Sequence, residues 1–513
     1  MEIKVKIPEN LNIVELLQAA NREPKSYLVD KVAFICHEVH LAAVYHRDYL
    51  ENEDRPFFPL YSKILQKYIH DYKEIELLLI DGGVIECNGK YSKINHQSFR
   101  FRFTEKYYGQ KFKEHEIITI GLHNKIQVYY KTDPLPPTPE NESYQFLKEY
   151  WTNHKLKIDV ERAMKWIDAA YQSEMNFLNS QYAKKGGQKK VAAIKKLTEK
   201  CEIWKTSVQN YNTGRLVFRP DDFSKRLHTK LTNLKKELRG FITYDGMELV
   251  SLDIKNSQPY LSLVLFNEDF WRERAKNGQN ILLYRKIGLD KIKKEIKDKL
   301  CNSNMLAKTS KSEAGKWFEF DNYMSLVTSG RLYEYLIKLF CEIRTNPFLR
   351  DEVKKKFLIY LYYDPANLDK FEEGYASINL LNEVFPNISA LFLLLKAKGT
   401  YKVEPPDYKA IYQPVYQFPF HALSAKDSFK FPPQLLQRIE SHLVIEVVCK
   451  GLKKGNRDIP LFTIHDSIVT TKEFQQIVHG KMIEVLKNAI GFEPTIEPQY
   501  FTPVDVIAKT DFT

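Results

Sequence analysis

Leu461-Phe462-Thr463-Ile464-His465-Asp466-Ser467-Ile468-Val469-Thr470-Thr471 is the stretch on which the fold turns. Two β-prone runs flank a polar corner, so the pattern predicts a hairpin with Asp466 at its bend. The same pattern occurs far upstream, where Glu248-Leu249-Val250-Ser251-Leu252 reads as a buried strand that delivers Asp253 at its end. One aspartate at a strand end is ordinarily a cap or turn residue. The case for chemistry therefore rests on what accompanies the two.

Phosphoryl transfer gives two such acids a use. It needs the attacking and leaving oxygens held in line while charge develops, and two Mg2+ ions about 4 Å apart do both. Mg2+ keeps several waters and takes only one or two carboxylates, so two aspartates from neighbouring strands suffice. Cations come from Arg350-Asp351-Glu352-Val353-Lys354-Lys355-Lys356-Phe357-Leu358-Ile359-Tyr360-Leu361-Tyr362. Steps of four put Arg350, Lys354, Leu358 and Tyr362 along one helical face. That face offers two positive charges for a triphosphate and a ring on which a base can stack.

The whole chain suits such a partner. It has 513 residues and a formal charge of +12, and a basic surplus favours polyanions through counterion release. With 43% hydrophobic and 28% charged residues, it reads as soluble and globular, with room for two or three domains. Cys36, Cys87, Cys201, Cys301, Cys341 and Cys449 lie too far apart for a zinc or redox motif. Reduced thiols and a cytoplasmic location are expected. The opening MEIKVKIPEN carries no apolar signal region, and no run approaches a membrane span.

Moving outward, KTDPLPPTPENES (Lys131–Ser143) reads as a Pro-rich linker or exposed loop. Before it, residues 28–43, Leu60–His70 and Tyr72–Ile80 show helical spacing, with Gly82-Gly83 as a stop. Val84–Cys87 and Phe99–Phe103 read as strands, with a turn signal at Asn88-Gly89. Helices followed by a hairpin predict a winged-helix-like α+β domain over 1–130; an ordinary α+β packing domain fits the same pattern. Residues 144–210 read as long helices, with a basic cluster at Lys184–Lys190.

The order of these motifs over residues 210–513 resembles the family A DNA polymerases and their relatives, the phage-type single-subunit RNA polymerases. Thr213-Gly214-Arg215-Leu216 is similar to the family's TGRL segment, and Thr232-Asn233-Leu234-Lys235 to the segment after it. Leu238-Arg239-Gly240-Phe241-Ile242 leads into the strand of Asp253, and Arg350, Lys354 and Tyr362 match the fingers motif. Phe385-Pro386 and Gln437–Ser441 resemble the elements between that helix and the His465-Asp466 pair.

The resemblance implies an α+β right-hand fold. Palm segments would take 211–270 and 437–513, fingers 271–400, a connecting segment 401–436, and a helical thumb 144–210. It implies that Asp253 and Asp466 bind two Mg2+ ions, with Mn2+ as a substitute. Arg350, Lys354, Tyr362 and Gln258 would bind the nucleoside triphosphate, with Gln258 facing the sugar. Arg215, Asn233 and His465 would contact a DNA primer–template.

The chain also departs from the family. Tyr363 stands where a glycine usually follows the fingers tyrosine. Gln258 replaces the glutamate frequent in DNA polymerases, and Ser467 follows Asp466 as in the RNA polymerases. A bulky Gln258 crowds a 2′-hydroxyl, which favours dNTPs; its amide can also hydrogen-bond that hydroxyl. The expectation is DNA synthesis without a proofreading exonuclease, since residues 1–130 lack a strand-borne carboxylate pattern. An RNA polymerase, template-independent nucleotide addition, and a non-catalytic nucleic-acid-binding protein are the alternatives.

Overall fold

The computed structural model describes residues 2–46, 55–90, 98–138, 141–182, 187–266, 272–274, 280–282, 318–341, 350–363, 378, 380–385, 388–389, 392, 429–456 and 458–506. Helices and strands are mixed throughout. The chain divides into two compact units: Met1–Arg219, His228–Leu249 and Tyr500–Thr513 form the first, Pro220–Leu227 and Val250–Gln499 the second. The Pro-rich stretch lies inside the first unit.

The first unit is built on α2 (Ser26–Tyr45), which follows β1 (Lys4–Pro8) and α1 (Ile13–Ala19). Fourteen residues of α2 are buried, because nearly every turn carries apolar side chains. Around it stand β2 (Phe58–Pro59), α3 (Ser62–Tyr68), α4 (Tyr72–Asp81), β3 (Ile85–Cys87) and β4 (Arg100–Phe103). β3 pairs antiparallel with β4, Cys87 opposite Phe101 and Ile85 opposite Phe103. The three expected helices and the returning strand are therefore present. Asn88-Gly89 opens a longer connection instead of closing a two-residue turn, with Gly89 at φ +64°.

Two features had no sequence signal. β2 adds a third strand beside β4, and β1 pairs with β5 (Phe112–Glu116) in a separate antiparallel ladder. The Pro-rich stretch folds back onto α6 (Glu142–Thr152), which follows α5 (Ile120–Lys131). Lys148 Nζ bonds Asp133 and the Leu135 carbonyl, and Asn141 Nδ2 donates to the Pro136 carbonyl. A braced loop results. Beyond it, β6 (Leu156–Ile158) leads to the packed helices α7 (Val160–Gln181) and α8 (Gly187–Thr213). The expected long helices of 144–210 are there, while residues 184–186 of the basic cluster lie outside the described residues.

The second unit carries the strands that decided the sequence reading. β9 (Ile242–Tyr244) and β10 (Met247–Ile254) form a hairpin, and β10 passes from the first unit into the second at Val250. In the second unit β10 is followed by α9 (Ser257–Ser262), α10 (Phe318–Thr328), α11 (Leu332–Cys341), α12 (Arg350–Tyr362) and α13 (Phe431–Ser441). Pro432 and Pro433 sit in the first turn of α13, where a missing N–H costs nothing. Last come β11 (Phe462–Ile464), β12 (Ser467–Thr471), α14 (Gln475–Ile490) and β13 (Ile496–Tyr500). Much of the expected fingers segment 271–400, including Pro386, and residues 401–428 of the connecting segment lie outside the described residues. Among the described residues no helix is long and apolar enough to cross a membrane.

Candidate active site

β11 and β12 pair antiparallel with Ile464 opposite Ser467, so His465 and Asp466 alone form the hairpin corner. His465 has φ +54°, at the first corner position, which glycine ordinarily takes. Ser467 closes the turn by donating its hydroxyl to the Ile464 carbonyl at 2.8 Å. From Leu461 to Thr471 every residue is buried except His465 and Asp466.

β12 is the hydrogen-bonded neighbour of β10. From Leu249 to Ile254 every residue of β10 is buried except Asp253. The two acids are thus half-exposed interruptions in adjoining apolar strands, each lifted out of the interior by sequence position. After Asp253 the chain turns sharply through Asn256, at φ +53°, into α9, which carries Gln258. On its other side β10 meets β13, where Lys255 N–H donates to the Thr495 carbonyl at 2.9 Å.

Among the described residues no group of three or more His, Cys, Asp or Glu could hold a metal ion. Asp253, near the end of β10, and Asp466, at the corner before β12, are carboxylates of the kind that Mg2+ takes singly or in pairs, together with water and substrate phosphates.

The nucleotide-side expectations fall into two groups. Tyr362 ends α12, and its hydroxyl donates to Gln258 Oε1 at 2.7 Å. Gln258 Nε2 donates in turn to Glu440 Oε2 on α13 at 2.6 Å. Burial, reinforced by the Glu440 charge, raises the Tyr362 hydroxyl well above its usual value and keeps it a donor. Arg350 and Lys354 sit at the outer part of α12. Arg350 Nε bonds Glu334 at 2.8 Å and its guanidinium lies 5.3 Å from the Tyr333 ring centre. Glu334 is partly buried, yet the Arg350 bond holds its carboxyl below the usual value. Lys354 is exposed. Phe385 is buried and meets Tyr323 edge-on at 5.3 Å.

Sequence reading missed the centre of this network. Glu440 is fully buried and takes two bonds from Arg226, Nε to Oε1 at 2.6 Å and Nη2 to Oε2 at 2.7 Å. Burial pushes its carboxyl up to about 7 against the pull of Arg226, and the charge of Asp466 adds to the rise. Arg438, also buried, donates to the carbonyls of Phe223 and Asp222 at 2.8 Å each, and Ser441 to that of Lys225. One face of α13 therefore clamps residues 222–226. The polar residues of Gln437-Arg438-Ile439-Glu440-Ser441 amid apolar neighbours were the available signal; Arg226 had none.

Arg215 and Asn233 belong to the first unit, where they line one small cavity with Tyr45, Asn210 and Lys230. The Arg215 guanidinium stacks 3.8 Å from the Tyr129 ring centre. Lys230 Nζ donates to the carbonyls of Asn210, Tyr211 and Gly214 at 2.8 Å each, and burial lowers it to about 8. It caps the last turn of α8 and fixes the loop that carries Arg215.

No protein-family profile matches the sequence, and no curated protein matches it. Among solved structures, the chain is similar to the POL domain of Pol1 from M. smegmatis in complex with DNA primer-template and dNTP. The TM-score is 0.40 at 11% identity, over 91% of this chain and 82% of that one. At that level of likeness, the functional reading is carried by the residues themselves.

Proposed function

We propose that this chain is a template-directed nucleic-acid polymerase of the family A type, with DNA synthesis favoured and no proofreading exonuclease. The observation that supports it is the emergence of Asp253 and Asp466, and almost nothing else, from two adjoining buried strands. Asp253 and Asp466 would hold two Mg2+ ions, which when bound neutralise charge on the attacking and leaving oxygens.

The primer 3′-hydroxyl attacks the α-phosphorus, its proton passes to solvent, and pyrophosphate leaves as the new phosphodiester forms. Arg350 and Lys354 hold the triphosphate, Arg350 exchanging Glu334 for a phosphate. Tyr362 presents its ring to the new base pair and Gln258 faces the sugar. Arg215, Asn233 and His465 contact the primer–template. In this reading residues 211–270 and 437–513 form the palm, 271–400 the fingers, 144–210 the thumb, and 1–130 an added winged-helix-like domain.

Primer extension by the purified protein tests the proposal. Incorporation of dNTPs with Mg2+ or Mn2+ is expected from wild type and not from Asp466→Ala. Wild type that incorporates neither dNTPs nor rNTPs, yet binds nucleic acid unaffected by Asp253→Asn, would establish the non-catalytic alternative. A Gln258 amide free to turn would hydrogen-bond a 2′-hydroxyl, which makes RNA synthesis the competing reading. A preference for rNTPs in the same assay would decide for it.

A further inference from the structure

Four donor atoms converge on the Glu440 carboxylate: Arg226 Nε and Nη2, Gln258 Nε2 and, at 3.4 Å, Ser257 Oγ. Arg226 donates to both carboxylate oxygens, which makes each an acceptor, so whatever else faces them must be a donor. For Gln258 this settles which end of its side-chain amide lies where. Reversing the amide would set its oxygen 2.6 Å from Glu440 Oε2, acceptor against acceptor. The oxygen must therefore point to the Tyr362 hydroxyl, which it does. Arg226 fixes the carboxylate in turn, gripping both of its oxygens in the planar fork that Arg alone provides.

Resting on the polymerase reading, we infer that Glu440 is the positioning residue for sugar selection, locking Gln258 so that its amide cannot turn toward a 2′-hydroxyl. The lock works from behind: Glu440 is fully buried and does not meet the nucleotide. A locked amide is a steric wall, whereas a free one can rotate and bond the extra hydroxyl. Glu440→Gln removes the lock, because a carboxamide offers Gln258 both a donor and an acceptor and leaves its orientation degenerate.

The test measures equilibrium binding of dATP and ATP to the full chain on a primer–template ended by a dideoxynucleotide. Wild type, Glu440→Gln, Gln258→Ala and the Glu440→Gln/Gln258→Ala double variant are compared. Arg226→Gln/Glu440→Gln is added because it leaves no unpaired charge buried and so guards against misfolding. Wild type is expected to prefer dATP. The preference should fall about tenfold in Glu440→Gln and in the neutral pair, the worth of one charge-assisted hydrogen bond. In the Gln258→Ala background, Glu440→Gln should change nothing further. An unchanged preference in the neutral pair overturns the inference and leaves the polymerase reading standing, as does an equal shift from Glu440→Gln when Gln258 is already alanine. A wild type that binds neither nucleotide overturns both.

Discussion

The Tyr362 hydroxyl donates to the Gln258 side-chain oxygen at 2.7 Å, joining the end of α12 to the start of α9. Tyr362→Phe deletes that donor and leaves a half-buried amide oxygen short of one partner. A hydrogen bond of this kind contributes about 1 kcal/mol, so the KM for dNTPs should rise roughly fivefold with kcat little changed. Steady-state incorporation kinetics check it; an unchanged KM would show that the contact is irrelevant to nucleotide binding.

Asp253 and Asp466 should be dispensable for folding and indispensable for turnover. Each is half-exposed at the edge of an apolar strand, so alanine opens no cavity in the core. Either substitution should lower incorporation by roughly 10³-fold or more, the scale of losing several kcal/mol of charge stabilisation. The melting temperature should move by only a few degrees. Loss of activity accompanied by a collapse in thermal stability would mean that the acids serve the fold instead.

Glu199 gives a pH-dependent prediction from the first unit. It is buried in α8 and accepts from Gly109 N–H at 3.1 Å, and burial lifts its carboxyl to about 7, aided by Glu202 and opposed by Arg55. A carboxyl raised on folding holds its proton in the native state while the unfolded chain has lost it. Wild type therefore loses stability as pH rises from about 4.5 to about 7, and the loss is complete above that. Glu199→Gln does not titrate, so its melting temperature should gain on wild type across this window and hold the gain above it. Parallel melting curves at every pH would refute the buried-charge argument.

How much of this was written in the sequence depends on how local the signal is. The hairpin at His465-Asp466 was legible because alternation of β-branched residues and a polar corner are local properties, and the register confirms it. The strand of Asp253 and helices α2, α4 and α12 were legible for the same reason. Pairing of β1 with β5 was not, since nothing in Lys4–Pro8 specifies a partner more than a hundred residues away. The Arg226–Glu440 pair was hidden by the same rule: a buried ion pair shows in sequence as two ordinary surface-type residues. Lys230 carries no local sequence signal, and only the fold turns it onto three carbonyls.

That hidden pair makes a stability prediction of its own. Glu440 is fully buried and Arg226 mostly so, and Glu440 replaced its lost water chiefly with the Arg226 guanidinium, helped by Gln258 and Ser257. Arg226→Met leaves Glu440 with Gln258 and Ser257 as its remaining donors and should cost about 3–5 kcal/mol. Arg226→Met with Glu440→Leu removes both charges together; it leaves the Gln258 amide short of an acceptor but strands no ion, and should cost about 2 kcal/mol or less. Denaturant unfolding of the two single variants and the double variant gives the coupling directly, provided the slope with denaturant stays constant. Because residues 222–226 are also held by Arg438 and Ser441, the loop should keep its place in the double variant. Costs that simply add would mean that each residue acts through neighbours other than its partner, and the pair would then not be the element that fastens this loop to α13.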